Sequence, residues 1–181
     1  MNNCSLVVEG RQDVILLRAL LRGRADVSFR FYASGGRASL ATVGRNILVH
    51  EGGLLIVVMD ADTLDPSQAD TSCRLIESAL RRFSPDERFD VFAFVPELEV
   101  VFFEVPTVLT RRFGPEVVSL PVIERGCFEP KAALQRILTD SGISQVDYFK
   151  ELTSEDLDEL RQGDQAARFI SAVETLTVGV S

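Results

Sequence analysis

The chain has no tryptophan, two tyrosines, one histidine and three cysteines in 181 residues. Cys4, Cys73 and Cys127 are far apart and form no Cys-x-x-Cys pair. That spacing excludes a disulfide scaffold, argues against a cysteine-rich zinc site, and makes the cytosol the expected compartment. No apolar run approaches the roughly 20 residues of a membrane span, so no membrane association is expected. Residues 1–5 show no basic segment leading into an apolar stretch, and no signal peptide is expected. Basic charge is also scarce: 19 Lys and Arg face 27 Asp and Glu, a net charge of −8. A protein that simply coats nucleic acid would be basic. The deficit is uneven, however. Residues 1–50 carry seven Arg against Glu9, Asp13 and Asp26, a net of +4, and the remainder of the chain carries −12.

What is present is a hydrophobic fraction of 46%, enough for one packed domain at this length. Ser5–Glu9 reads as a short strand. An amphipathic helix follows over Asp13–Gly23, with Asp13 as its cap and Gly23 as its stop. Val27–Tyr32 alternates as a second strand. Ser34-Gly35-Gly36 is a turn, and Arg37–His50 a second helix. The uninterrupted run Leu54–Met59 suits a central strand buried on both faces. A helix within Pro66–Phe83 and a strand over Asp90–Val95 complete an alternating pattern. Helical material recurs over Glu97–Glu104, Glu129–Thr139 and Asp164–Thr177. The pattern predicts an α/β protein with a mostly parallel sheet of about four strands flanked by helices. Residues 1–105 form the expected core, and 106–181 a mainly helical extension packed on it.

Ligands of open α/β sheets collect beyond the carboxyl ends of the strands. Three of the four predicted strands end in acid: Glu9, then Asp60 and Asp62, then Glu97 and Glu99. Crowded carboxylates repel and raise one another's pKa, and a divalent cation relieves the repulsion. Mg²⁺ prefers such oxygens and leaves positions open for phosphate. In Asp60-Ala61-Asp62 the two acids are an i, i+2 pair, which at a strand end brings both to one side. Each acid also has an ordinary reading: turn and cap residues for the Asp pair, a solvated strand end for Glu9, first-turn acids favoured by the helix dipole for Glu97 and Glu99. The conjunction at three strand ends carries the reading.

Val7-Val8-Glu9-Gly10, with Asp13 four residues after the Glu, and the apolar strand ending in Asp60-Ala61-Asp62 resemble the Toprim (topoisomerase–primase) domain. The Ser34-Gly35-Gly36-Arg37 turn is similar to a Gly-rich turn of that family. Phe94-Val95-Pro96-Glu97-Leu98-Glu99 resembles the version found in overcoming-lysogenization-defect nucleases and related phage-defence effectors, which also carry a downstream Lys; Lys131 matches it here. The resemblance covers about residues 5–104. It implies a Toprim, Rossmann-like fold and an enzyme that hydrolyses phosphodiester bonds with Mg²⁺ or Mn²⁺, acting in phage defence or nucleic-acid processing. On that basis Glu9, Asp60, Asp62 and Lys131 are the expected catalytic residues. Glu9, Asp13, Asp60, Asp62, Glu97 and Glu99 are the expected metal ligands. One ion on Asp60 and Asp62 would polarise the phosphate, a second on Glu9 would stabilise the attacking or leaving oxygen, and Lys131 would neutralise developing charge.

Arg11 and Arg37 lie near predicted loops and helix starts, where guanidinium forks suit a DNA or RNA backbone; Arg45 reads as ordinary helix surface. His50 reads as a helix C-terminal residue, the three Cys as buried, Val100–Phe103 as core, and the acidic run Glu151–Glu159 as a solvated helix face. No Gly-x-x-x-x-Gly-Lys-Ser/Thr segment is present, unlike the ATPase-fused nucleases. An alternative follows: an effector or regulatory subunit active only with a separate ATPase partner. Self-association is also open. Asp60-Ala61-Asp62-Thr63 resembles the haloacid-dehalogenase phosphatases as well, but that family sets its motif near the chain start and would leave Glu9 unexplained.

Overall fold

The apolar run at the middle of the chain becomes the inner strand of the sheet. In a computed structural model, which describes residues 2–23, 27–84, 86 and 88–178, it is β3 (Leu54–Asp60), and all seven of its residues are buried. β1 (Asn2–Val8), β2 (Val27–Ala33) and β4 (Phe89–Phe94) complete a four-stranded sheet in the order β2-β1-β3-β4. Every pairing is parallel. Residues 1, 24–26, 85, 87 and 179–181, which fall within the expected core and extension, lie outside the described residues.

Parallel strands need crossovers, and three helices supply them: α1 (Arg11–Leu20), α2 (Leu40–His50) and α3 (Pro66–Arg81). The period-2 alternation of β3 explains why both faces are covered. Leu54, Ile56 and Val58 join the cluster built with Leu16, Leu17 and Leu20 of α1, whereas Leu55, Val57 and Met59 pack with Leu40 and Ile47 of α2 and Leu80 of α3. The chain is thus an α/β, Rossmann-like protein with a helical C-terminal half.

That half contains α4 (Val101–Glu104), α5 (Pro106–Phe113), α6 (Leu120–Phe128), α7 (Pro130–Asp140), α8 (Gln145–Glu151), α9 (Ser154–Leu160) and α10 (Asp164–Val178). Phe102, Leu109, Leu134, Phe149, Leu157 and Phe169 all enter the α1-side core. The Val100–Phe103 stripe is buried as expected. Gln165, at the start of α10, clasps the end of β4: its Oε1 accepts from Val95 N–H at 2.7 Å and its amide donates to the Val95 carbonyl. Among the described residues, no helix is long and apolar enough to cross a membrane.

Several local expectations are corrected. Asp13 does not cap α1. Gly10 is the N-cap and the helix runs Arg11–Leu20; Asp13, at the third helical position, reaches back to accept from Gly10 N–H at 2.8 Å. The second helix divides into a 3₁₀ turn (Arg37–Ser39) and α2. Glu97–Glu104 likewise divides into a 3₁₀ turn (Leu98–Val100) and α4. Cys4 is buried, but Cys73 is half-buried and Cys127 exposed. The acidic run is solvent-facing as expected, with Glu151, Glu155 and Asp158 exposed, and it also makes surface ion pairs: Glu151 with Arg112 at 2.6 Å, Asp156 with Arg111 at 2.5 Å, and Glu159 also with Arg111, linking α8 and α9 to α5.

A candidate carboxylate site at the sheet's carboxyl edge

The sheet register assembles the site. Val7 lies level with Val57, so Glu9 leaves β1 beside the end of β3. Glu9 Oε1 accepts from the backbone N–H of Asp60 at 3.3 Å, 51 residues away in sequence. The Ser34-Gly35-Gly36 turn is pinned to the same edge: Ser34 N–H donates to the Val8 carbonyl at 2.8 Å, and Gly35 N–H to the Glu9 carbonyl at 3.1 Å. Gly35 and Gly36 have φ of 82° and 132°, a region a Cβ disfavours, and glycine lets the turn lie there.

Asp60 is buried, only 8% exposed. Its Oδ1 accepts from Leu98 N–H at 2.8 Å, and its Oδ2 faces Lys131 Nζ at 3.5 Å. Asp62 sits beyond it at φ 53°, its N–H donating to the Pro96 carbonyl at 2.9 Å. Its exposed carboxylate receives Arg37 Nη1 at 2.8 Å. β3 ends at Asp60, and the two acids take different partners, Asp60 buried under Lys131 and Asp62 exposed with Arg37, while their charges are still felt by one another.

Lys131 opens α7 and stands over the cluster from the far end of the chain. Its backbone N–H donates to Glu97 Oε2 at 3.0 Å. Burial works against the charge on its ammonium, but Glu99, Asp60, Asp13 and Glu97 together hold its pKa above the usual lysine value. The acids respond in the opposite sense to solvent loss. Burial, followed by the charge of Asp60, raises Glu9. Burial raises Asp13 and Asp60 despite their backbone hydrogen bonds.

Glu99 is enclosed more completely, at 1% exposure. Its Oε1 accepts from Gln145 Nε2 at 2.8 Å, while its Oε2 is buried with no hydrogen-bond partner. Burial pushes its pKa up to about 7. Glu99 therefore lies behind Asp60 and Lys131, close enough for their charges to be felt, and sealed from solvent. Gln145 was not foreseen from the sequence; its position at the start of α8, after the capping Ser144, gave no sign of a buried carboxylate partner.

Two clefts flank these groups. One, of about 520 Å³, is lined by Glu9, Asp13, Arg11, Gly35, Gly36 and Lys131. The other, of about 530 Å³, is lined by Asp62, Leu64, Pro96, Glu97, Phe128 and Glu129 among others. The structure thus brings Glu9, Asp13, Asp60, Glu97, Glu99 and Lys131 to one edge, with Asp62 and Arg37 on its rim and Arg11 in the first cleft. Arg45 lies apart over the Phe83 ring, and His50 ends α2.

Carboxylate oxygens are the donors Mg²⁺ and Mn²⁺ prefer, and Mg²⁺ is commonly held by only one or two carboxylates with water and substrate phosphate completing its shell. Glu9 and Asp60 fit that requirement. Among the described residues, no three His, Cys, Asp or Glu side chains form a ready-made metal cage. Lys131 and Arg37 occupy the positions facing Asp60 and Asp62 instead. Comparison with known protein families, curated proteins and solved structures finds no match to the chain.

Proposed function

We propose that the protein is a Mg²⁺- or Mn²⁺-dependent nuclease of the Toprim type. The observation that carries this reading is the meeting of Glu9 with the Asp60 backbone under Lys131. Three chain segments, centred on residues 9, 60 and 131, supply acids and one ammonium to a single sheet edge. In this reading Glu9 and Asp60 hold the cation, with Asp13 and Glu97 beside them, and Asp62 joins from the rim. The cation supplies Lewis acidity at the phosphate and a more acidic water.

The chain's own residues do the rest. Lys131 stands where a phosphate oxygen would displace it from Asp60 and neutralises charge that builds on that oxygen. Arg11 and the Gly35-Gly36 backbone line the approach for the nucleic-acid strand, and Arg37 can exchange Asp62 for a phosphate. Gly10 N–H and Leu98 N–H orient the Asp13 and Asp60 carboxylates, so little rearrangement is needed when substrate arrives. Phage defence is the setting that the resemblance suggests, and a separate ATPase the partner.

The test is incubation with plasmid, single-stranded DNA and tRNA, with Mn²⁺ or with EDTA, alongside Glu9→Gln. Cleavage that needs Mn²⁺ and is lost in the variant is expected. Absence of both cleavage and calorimetric Mn²⁺ binding in the wild type removes the reading.

A further inference from the structure

β4 is an edge of the sheet, and its outer side opens into a cleft of about 640 Å³ between α3 and α10. The ladder decides which backbone groups face that cleft. Leu55 N–H donates to the Arg88 carbonyl at 3.0 Å and Ala61 N–H to the Phe94 carbonyl at 2.8 Å, so the even-numbered residues from Arg88 to Phe94 turn their peptide groups to β3. Val91, Ala93 and Val95 turn theirs outward. Side chains already close part of this edge. Val91 N–H donates to Asp90 Oδ1 at 2.8 Å. At Val95, Gln165 accepts from the N–H and donates to the carbonyl, the pair of bonds an antiparallel strand would make. Between these two caps, the Val91 carbonyl and the N–H and carbonyl of Ala93 have no partner among the described residues, and Ala93 is only half-buried.

Proteins cap or cover their edge strands, and here the capping stops at Ala93. Unpaired peptide groups on the floor of a groove select main-chain chemistry in the occupant, which is that of an extended peptide. The walls set its side chains, because alternate residues of an added strand face opposite sides of the sheet. The α3 wall holds Asp70, Cys73 and Glu77. Asp70 is neutralised by Arg74 at 2.9 Å, and Arg168 on the α10 wall faces Asp164 at 3.8 Å. Glu77 and Asp90 form no ion pair among the described residues. Burial, and then the charges of Glu77, Asp70 and Asp90, pushes the Cys73 thiol up to about 11, so these carboxylates share one neighbourhood. Two uncompensated carboxylates beside Cys73 suit a cation. On the α10 side, half-buried Phe92, edge-on to Phe169, suits an apolar side chain. We propose that the open edge of β4 is a docking groove for an extended peptide of a partner protein, which joins the sheet as a fifth strand with a lysine or arginine facing α3. A second copy of the chain is the poorer occupant, since pairing two β4 edges sets Glu77 and Asp90 against their own kind. The inference is independent of the nuclease reading.

The experiment measures fluorescence anisotropy of a fluorescein-labelled heptapeptide of alternating valine and lysine with the full chain. Two further probes are its valine–glutamate counterpart and a form of the lysine peptide N-methylated along its centre. Wild type, Ala93→Pro and Glu77→Gln are compared. Proline is tolerated on an edge strand but removes the outward N–H of residue 93. The lysine peptide is expected to bind wild type about tenfold or more tighter than the glutamate peptide. Ala93→Pro should lose about tenfold or more in affinity for it, and Glu77→Gln should narrow the preference for lysine about threefold or more. The N-methylated peptide, which tests backbone pairing without altering the protein, should bind wild type about tenfold or more weakly. Equal affinity of wild type for the plain and N-methylated peptides overturns the inference. So does absence of lysine-peptide binding by wild type, or a preference for the glutamate peptide. A sedimenting mass above one chain in wild type that falls in Ala93→Pro, with no peptide bound, also overturns it and assigns the edge to a second copy.

Discussion

Lys131 Nζ faces Asp60 Oδ2 at 3.5 Å across 71 residues of chain. The contact joins the start of α7 to the carboxyl end of β3. It also places the cluster's ammonium where four acids, Glu99, Asp60, Asp13 and Glu97, sustain its charge.

Replacing that lysine by an isosteric apolar chain separates catalysis from binding. Lys131→Met is expected to lower kcat by about 10²- to 10³-fold, as loss of a group that stabilises transition-state charge does, with a smaller change in KM. The variant should lose more thermal stability at pH 8 than at pH 5, because its unpaired acids are ionised at the higher pH. Steady-state cleavage kinetics and melting at both pH values check this. Equal losses in both kinetic constants would contradict the role.

Metal binding should be separable from folding at Asp60. In Asp60→Asn a carbonyl oxygen remains to accept from Leu98 N–H, so the link to the 3₁₀ turn after β4 is kept. Titration calorimetry with Mn²⁺ should show binding to wild type and none to the variant, while melting temperatures stay within a few degrees. Retained Mn²⁺ heat in Asp60→Asn would remove this residue from the cation's shell.

Glu99 makes a pH prediction with a definite sign. Burial raises its folded pKa to about 7 from the ordinary glutamate value of 4.5, so the folded state holds the proton more tightly than the unfolded chain. Its stabilising contribution is full below about pH 4.5 and is lost as pH rises through about 7. The span of that shift corresponds to up to about 3 kcal/mol. Glu99→Gln removes the titration and should gain stability relative to wild type between pH 5 and pH 8. Urea melts of both proteins at the two pH values measure it. A wild-type-minus-variant difference that does not change with pH would refute the assignment.

Gly126 tests the packing of the helical half. A Cβ there would overlap the ring of Phe103, which is 3% exposed and has no space to retreat. Gly126→Ala is expected to destabilise the fold by about 1–3 kcal/mol or more, although alanine is the better helix former. Chemical denaturation reads the loss. A neutral or stabilising effect would show that α6 packs elsewhere.

β3 is legible because burial on both faces leaves a continuous apolar run, Leu54–Met59, whereas the edge strand β2 is legible from its alternation. Their ends shifted by a few residues. The short helices α5, α6 and α8 are not assigned from the sequence, because seven to nine residues carry too little periodicity, whereas most of α9 falls in the acidic stretch Glu151–Glu159 read as a helix face. Their signals were local instead: Pro106 and Pro121 in first turns, and Ser144 and Thr153 as caps. The candidate acids were legible as strand ends. Their unequal environments were not, since Asp62 is held at the rim by an arginine 25 residues away and Glu99 is met by a glutamine 46 residues away.

The amino-acid order alone determined an alternating α/β chain and where acids would stand relative to its strands, since apolar runs and turn residues act locally. Only the folded chain decided which acids share an edge, that Lys131 covers Asp60, and that Phe128 comes to border Asp62 and Glu97. These are contacts between distant segments, fixed by strand register and helix docking rather than by any short stretch of sequence.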